Sequence, residues 1–298
     1  MYKIVFLILI SLTTIFAQSA GSSGLSFLKM GFGARNIALG DAGAALSNDV
    51  TALYYNPAGL ADSYNGEVLL MHNEWIQDVR SELLGASFKL FNIPFAVGFN
   101  VTTVKDIEVR TKPGEPDSKF NANYFFGSLS TGFYIIENIS VGASVKYLYE
   151  GLFSDEATGI GFDFGAKYST PVNGLSVSAS IKNLGSMSIL KNEESKLPSE
   201  MRVGTAYSFE IPDSKFSFIA AGELQKYLQT EDIHLNFGGE ILFNKMFALR
   251  AGYQSGYISK NLTGGIGLNW GGLSFDYAVS PFSLQLGTGH SMSVSFRF

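Results

Sequence analysis

The last nine residues, 290–298, read His290-Ser291-Met292-Ser293-Val294-Ser295-Phe296-Arg297-Phe298. Apolar and polar side chains alternate strictly along this stretch. Its apolar face consists of Met292, Val294, Phe296 and Phe298. Successive side chains of a β-strand point to opposite sides of its sheet, so the alternation is typical of a strand with one apolar and one polar face. The C-terminus therefore predicts a β-strand.

The same alternation recurs through residues 63–298 in about fourteen segments, most of about ten residues, which is the length of a tilted membrane-spanning strand. We predict strands at 67–75, 82–91, 94–102, 122–135, 139–149, 158–168, 174–183, 200–209, 215–227, 232–242, 246–254, 262–270, 273–280 and 290–298. Every second connection is tight, whereas the others are mostly longer, notably 103–121 and 184–199. Short turns at one end and long loops at the other are typical of an outer-membrane barrel.

Composition agrees with an all-β membrane protein. The chain has 298 residues with 33 Gly, 25 Phe and 14 Tyr, and only 16% are charged. No stretch approaches the ~20 apolar residues that a spanning helix needs. The net charge of −5 argues against a nucleic-acid partner. The absence of Cys excludes disulfides and thiolate metal sites, and we predict neither a metal nor a cofactor.

The chemistry of the two strand faces predicts which face meets lipid and which lines the lumen. About fourteen strands enclose a lumen too wide for apolar side chains to fill, so we expect the apolar face to meet lipid and the polar face to line the lumen. An Arg or Lys facing the bilayer midplane would cost about 2–4 kcal/mol. The predicted lumen-facing residues are Lys146, Asp163, Lys167, Arg202, Glu240 and Arg250, with Glu223 and Arg297.

The N-terminus predicts export. Residues 1–17 combine a short positive start, an apolar run and a small residue for cleavage near Ala17 or Ser19, as a secretory signal peptide does. The alternative is a buried hydrophobic element at the start of the domain. Export without cysteine favours the bacterial outer membrane as the location.

Residues 18–62 precede the first strand and are rich in Gly and Ala. Because a lumen of this width is either open or plugged, we predict that they form a small helical or irregular hatch inside the barrel of residues 63–298. Asn48 is expected to cap a short helix starting at Asp49. That helix should end at Asn56-Pro57, because the residue before a proline disfavours the α conformation.

Three sequence blocks in this region carry a family resemblance. They are 24–35 (GLSFLKMGFGAR), 38–45 (ALGDAGAA) and 48–61 (NDVTALYYNPAGLA). In this order they resemble the N-terminal signature of the PorV/PorQ family, related to the FadL-type long-chain fatty acid transporters. The resemblance implies a fourteen-stranded barrel whose hatch moves to let an apolar ligand pass. It makes Asn56, Pro57 and Ala58 the gating candidates, although Asn-Pro is also an ordinary turn sequence.

Two functions remain open. One is a passive transporter for fatty acids or other apolar compounds. The other, implied by the family resemblance, is a component associated with type IX secretion that binds secretion-system proteins. An enzyme is not expected, because the three histidines lie far apart and no nucleophile elbow occurs. Other expected partners are outer-membrane lipid and, through the strand ending at Phe298, the barrel assembly machinery.

Overall fold

The computed structural model describes residues 24–63, 66–230 and 232–298. The predicted signal peptide, 1–17, and its cleavage region lie outside the described residues.

The described residues form a closed antiparallel barrel of fourteen strands, which confirms the predicted fold class. Each strand pairs with its neighbours in the chain, β7 pairs with β10, and β1 closes the barrel against β16. The barrel strands are β1 (Gly66–Glu74), β2 (Val79–Leu90), β3 (Ile93–Val109), β4 (Ser118–Ile136), β5 (Ile139–Leu152), β6 (Asp155–Ser169), β7 (Leu175–Met187), β10 (Glu200–Glu210), β11 (Phe216–Tyr227), β12 (Ile233–Phe243), β13 (Phe247–Ser255), β14 (Leu262–Trp270), β15 (Leu273–Phe282) and β16 (Gly287–Arg297). Between β7 and β10, β8 (Ile189–Leu190) and β9 (Glu193–Glu194) form a separate short hairpin.

The outer surface of the barrel is apolar and its interior is polar. In β13, Leu249 is 61% exposed on the outside, whereas its neighbour Arg250 is 4% exposed on the inside. The same alternation places Ser291, Ser293 and Ser295 of β16 inside. A barrel that shows aliphatic and aromatic side chains outward and encloses its charges has the arrangement of a transmembrane barrel.

The connections differ between the two ends. At the end where β1 begins and β16 ends, the turns are short: 91–92, 137–138, 170–174, 211–215, 244–246 and 271–272. The opposite end, called here the loop end, carries most of the longer connections, such as 256–261 and the segment that holds the β8–β9 hairpin. The turn at 153–154 is an exception, because β5 and β6 extend in place of a loop.

The prediction of a loop at 103–121 was wrong for most of that range. β3 continues to Val109 and β4 begins at Ser118, so only 110–117 connect them. The register shifts between Val104 and Ile107, where Asp106 has a φ of 55°, and pairing then resumes. This β3–β4 arm has charged residues with solvent on both faces, so the apolar alternation that predicts a strand is missing there.

Residues 24–63 lie inside the barrel and are called here the plug. They contain two short α-helices, Ala34–Ala38 and Ala52–Tyr55, and two 3₁₀ helices, Ser26–Lys29 and Pro57–Asp62. Among the described residues, no helix is both long enough and apolar enough to cross a bilayer. The plug is instead anchored by many contacts with the inner wall.

The prediction that Asn48 caps the plug helix was wrong. The helix begins at Ala52, and Asn48 is exposed. Asp49 supplies the local hydrogen bond, because its Oδ1 accepts from the Thr51 backbone N–H at 2.9 Å. The helix does end at Tyr55, since Asn56 before the proline is extended with a φ of −161°.

Candidate functional site: the plug and the inner wall

Asn56 joins the plug to the barrel. Its side chain is fully buried. Its Oδ1 accepts from the Ala58 backbone N–H at 3.1 Å and so caps the Pro57–Asp62 helix. Its Nδ2 donates to the Ala44 carbonyl of the plug and to the Ala166 carbonyl of β6, both at 3.2 Å. One amide therefore fixes both the local fold of the plug and its position on the wall.

Pro57 and Ala58 lie against a patch of wall glycines, Gly132, Gly142 and Gly165, called here the glycine patch. A Cβ on Gly132 would overlap the Pro57 carbonyl, and a Cβ on Gly165 would overlap Asn56 Oδ1. Beside the patch, Ser140 Oγ donates to the Ala58 carbonyl at 3.0 Å. The three gating candidates thus touch the wall at glycines, with the Ser140 hydroxyl beside them.

Lys167 lies next to this contact. Its Nζ is 2.8 Å from Oδ2 of Asp62, the last residue of the Pro57–Asp62 helix. Tyr134 of β4 donates its hydroxyl to the other oxygen of Asp62. The pair is partly accessible, so it is a weaker constraint than the fully buried ion pairs deeper in the lumen.

Lys146 and Asp163 form a buried pair of the wall, with 2.6 Å between Nζ and Oδ2. Asn183 completes it, because its Oδ1 accepts from Lys146 Nζ and its backbone N–H donates to Asp163. Asn183 has a φ of 56°, at a register shift between β6 and β7. This bulge turns both Lys182 and Asn183 inward.

Arg202 is the centre of the largest ion network. It is fully buried and contacts Glu200 at 3.1 Å, Glu223 at 2.9 Å and Asp41 of the plug at 3.2 Å. Lys182 contacts the same Glu200 at 2.7 Å. A charge with several paired carboxylates tolerates burial that an isolated charge would not. Arg202 therefore fastens the plug to β10 and β11.

Glu240 of β12 and Arg250 of β13 form a second network, on the two strands that follow β11 around the barrel. Arg250 Nε lies 2.5 Å from Glu240, and its Nη1 lies 2.6 Å from Asp276. Arg35 of the plug donates twice to Glu240, at 3.1 Å each. Glu240 raises the pKa of the Arg35 guanidinium above its ordinary value, so this tether stays charged.

Towards the loop end, part of the lumen is apolar. Phe27 of the plug stacks on Tyr124 at 5.4 Å and on Phe126 at 6.3 Å between ring centroids. A cavity of about 10 Å³ beside Phe27, Tyr54 and Phe126 has room for roughly one water molecule. The plug therefore closes this apolar region tightly.

No group of three or more potential metal ligands occurs in the part of the chain that the structure describes. His72, His234 and His290 lie on different strands: His72 contacts Glu82 on the outer surface, His290 contacts Tyr277, and His234 faces inward.

Two family models match the sequence. The model of the Uncharacterised protein family (UPF0164) matches residues 14–207, which is more than half of the chain. The chain belongs to this family. A second model, Type IX secretion system membrane protein PorP/SprF, matches residues 153–296 of this UPF0164 member, just under half of it. The comparison with curated proteins found no match.

Solved structures share the fold of this UPF0164 barrel. It is similar to the P. putida toluene transporter TodX, with a TM-score of 0.62 and 12% identity over 90% of this chain and 99% of that chain. It is also similar to the CymD monoaromatic hydrocarbon channel, with a TM-score of 0.59 and 14% identity over 90% of this chain and 98% of that one. At such identities the likeness establishes the architecture.

Sequence reasoning missed the plug side of this UPF0164 site. Arg35, Asp41, Asp49 and Asp62 are plug partners of wall charges. A signal was present, because five charged residues lie in a Gly/Ala-rich segment that fills a lumen, and a buried charge is stable only with partners. The glycine patch was also missed, since a glycine that faces inward looks the same in sequence as one that faces lipid.

Proposed function

We propose that this chain is an outer-membrane barrel that admits small apolar molecules when its plug moves. The observation that carries the proposal is the division of the plug into two parts. Its first residues, around Phe27, meet the wall through apolar and ring contacts, whereas Arg35, Asp41 and Asp62 add ion pairs with the wall farther along the plug. Displacing the apolar part together with the Pro57–Asp62 helix would open an apolar path from the loop end. This movement would break the Asp62–Lys167 pair and keep the ion pairs of Arg35 and Asp41.

Asn56, Pro57 and Ala58 are proposed as the gating element. The wall holds this segment through the Asn56 amide, the hydroxyls of Ser140 and Ser180, and the contacts of Asp62 with Lys167 and Tyr134. The glycine patch offers no side chains to interlock with the plug, so a small shift of the Pro57–Asp62 helix would release it. The likeness to the hydrocarbon channels supports this role by analogy of fold.

A second candidate function is association with type IX secretion, in line with the PorV/PorQ assignment that we predict from the sequence. Two observations favour it. The PorP/SprF model matches the second half of the barrel. The β3–β4 arm extends the sheet and exposes Glu108, Arg110 and Lys119 for contact with another protein.

Export by the signal peptide, assembly through the strand that ends at Phe298 and contact with outer-membrane lipid belong to the same proposal. Phe298 is 72% exposed, and Trp270 beside the last turn is 68% exposed. Aromatic side chains at this end are placed as an interfacial girdle would be.

Mass spectrometry of the protein, extracted gently from its own membrane, separates the two functions. A channel should purify without stoichiometric protein partners and carry apolar small molecules. Stoichiometric secreted or secretion-system proteins that are lost when residues 105–119 are replaced by a two-residue turn would overturn the channel proposal in favour of the second candidate. A matched replacement of the 256–261 loop controls for general damage to the loop end.

A further inference from the structure

The first and last strands of the barrel, β1 and β16, pair along a line called here the seam. Glu67 lies opposite Arg297, and Met71 lies opposite Ser293. The two strands have no short connection, because they stand at opposite ends of the barrel sequence. Closing so long a loop costs more chain entropy than forming a hairpin. Contacts beyond the backbone ladder are therefore more important for the seam than for the hairpins.

Two consecutive plug residues bind both strands of the seam. The Gly33 backbone N–H donates to Met71 Sδ at 3.0 Å, and the Ala34 backbone N–H donates to Ser293 Oγ at 3.2 Å. Both wall side chains are buried. Because Met71 and Ser293 face each other across the seam, this pair of bonds connects β1 to β16 through the plug.

Asp49 and Val50 repeat this arrangement nearer the end where β1 begins. The Val50 backbone N–H donates to Glu67 Oε2 at 3.0 Å, and Asp49 Oδ2 lies 4.0 Å from Nη2 of Arg297. Arg297 Nε donates to the other oxygen of Glu67 at 3.0 Å across the seam. Glu67 is 1% exposed, and a buried carboxylate is stable only with such partners. One carboxylate thus binds both the facing strand and the plug.

The two contact points are separated along the seam. They lie four residues apart on each strand, which corresponds to about 13 Å. Between them Leu69 faces Ser295, and in the part of the chain that the structure describes this pair makes no hydrogen bond with the plug. Contacts at two heights on both strands oppose separation of the strands, whereas one contact would only position the plug.

We propose that residues 33–50 of the plug are a clasp that holds the first and last strands of the barrel together. A strand that leaves the seam loses its bonds to the plug, and a plug that leaves the lumen loses its bonds to both strands. Seating of the clasp and closure of the seam therefore stabilise each other. The clasp does not include the gating element at Asn56–Ala58, and the inference does not rest on the proposed channel function.

Hydrogen exchange of backbone amides, measured by mass spectrometry in detergent micelles, reports how often the seam opens. The test variant is Met71→Leu with Ser293→Ala, which removes both acceptors of one contact point and leaves the backbone ladder intact. The matched control is Leu69→Met with Ser295→Ala, which changes the neighbouring opposed pair. Strands β4 and β5 are the internal reference, because neither contains a residue that the clasp binds.

We expect exchange in β1 and β16 to be at least about fivefold faster in the test variant than in the control, because two hydrogen bonds are lost. Exchange in β4 and β5 should be unchanged. Equal exchange of the seam in the two variants, or an increase that spreads equally to β4 and β5, would overturn the inference.

A disulfide across the seam provides a second test. Leu70 and Val294 face each other on the outer surface, and opposed residues of antiparallel strands have Cα atoms about 4.5–5.5 Å apart, within reach of a disulfide. Leu70→Cys with Val294→Cys, added to the test variant, should restore slow exchange in β1 and β16 when oxidised and lose this effect on reduction. Exchange that stays fast in the oxidised form would show that the test variant does not act by opening the seam.

Discussion

Replacing Gly142 with alanine places a methyl group where β5 meets the plug. The new Cβ would lie 2.5 Å from Pro57 O and 2.5 Å from Ala58 N, about 1 Å inside ordinary contact distance. Neither neighbour is a flexible side chain, so the strand and the Pro57–Asp62 helix must separate. Overpacking of this kind costs roughly 1–3 kcal/mol. The cost falls on the closed position of the plug, because an unseated plug no longer meets the methyl group.

A penalty of that size shifts the equilibrium between closed and unseated plug about 5- to 150-fold. The assay is single-channel recording in planar bilayers, with the open fraction as the readout. The matched control is Gly239→Ala on β12, where the nearest atom would be Ile219 O at 4.0 Å. We expect frequent openings for Gly142→Ala only. An open fraction equal to that of Gly239→Ala, in protein shown to be folded, would refute the proposed contact between plug and wall.

Three further predictions concern the fastening of the plug. Arg202→Met leaves buried carboxylates, including Asp41, without their cation, so thermal unfolding in detergent should show a loss of about 3–5 kcal/mol; an unchanged transition would contradict the ion network. Burial and Asp41 raise the pKa of Tyr55 well above 10 while the plug is seated. The neutral Tyr55 hydroxyl therefore stabilises the seated plug fully below pH ~10, the ordinary pKa of tyrosine. This stabilisation is lost at higher pH, because Tyr55 ionises at a lower pH in a released plug than in a seated one. Proteolysis of the plug should therefore increase above pH ~10, and less so in Tyr55→Phe; an identical pH profile would count against this. Deleting residues 24–62 should give a permanently larger conductance, and a conductance like that of the intact protein would show that the plug does not close the lumen.

The barrel was predictable because one physical rule acts along every strand that crosses the membrane. Lipid outside and polar contacts inside impose a period of two, which is visible in β16 and β5 from sequence alone. Outside the membrane this alternation is not required, so the sequence pattern no longer marks a strand there. The β3–β4 arm has the same backbone pairing beyond Val104 but solvent on both sides, so its charged sequence looked like a loop.

The residues of the site were less predictable, because charged residues distant in sequence become neighbours only when the barrel closes around the plug. Alternation indicates that Arg202 faces inward, but not that Asp41, 161 positions earlier, is opposite it. The bulge at Asn183 breaks the alternation and brings two neighbouring side chains inward, a choice that depends on backbone conformation and not on residue type. The end of the plug helix at Asn56 was predicted, whereas the capping of the next helix by Asn56 and its bond to β6 were not.

Locking the plug to the wall tests the gating claim most directly. The chain contains no cysteine, so Ala58→Cys with Ser140→Cys, placed where Ser140 Oγ meets the Ala58 carbonyl, supplies the only two thiols. Loss of both free thiols on oxidation verifies the disulfide, since the bond needs Cα atoms within about 7 Å of each other. Uptake of a neutral hydrophobic dye is measured in cells with an intact outer membrane, before and after reduction, with each single cysteine variant as control. The account predicts that the oxidised double variant blocks uptake and that reduction restores it. Equal uptake in the oxidised and reduced states would contradict a gate at Asn56–Ala58.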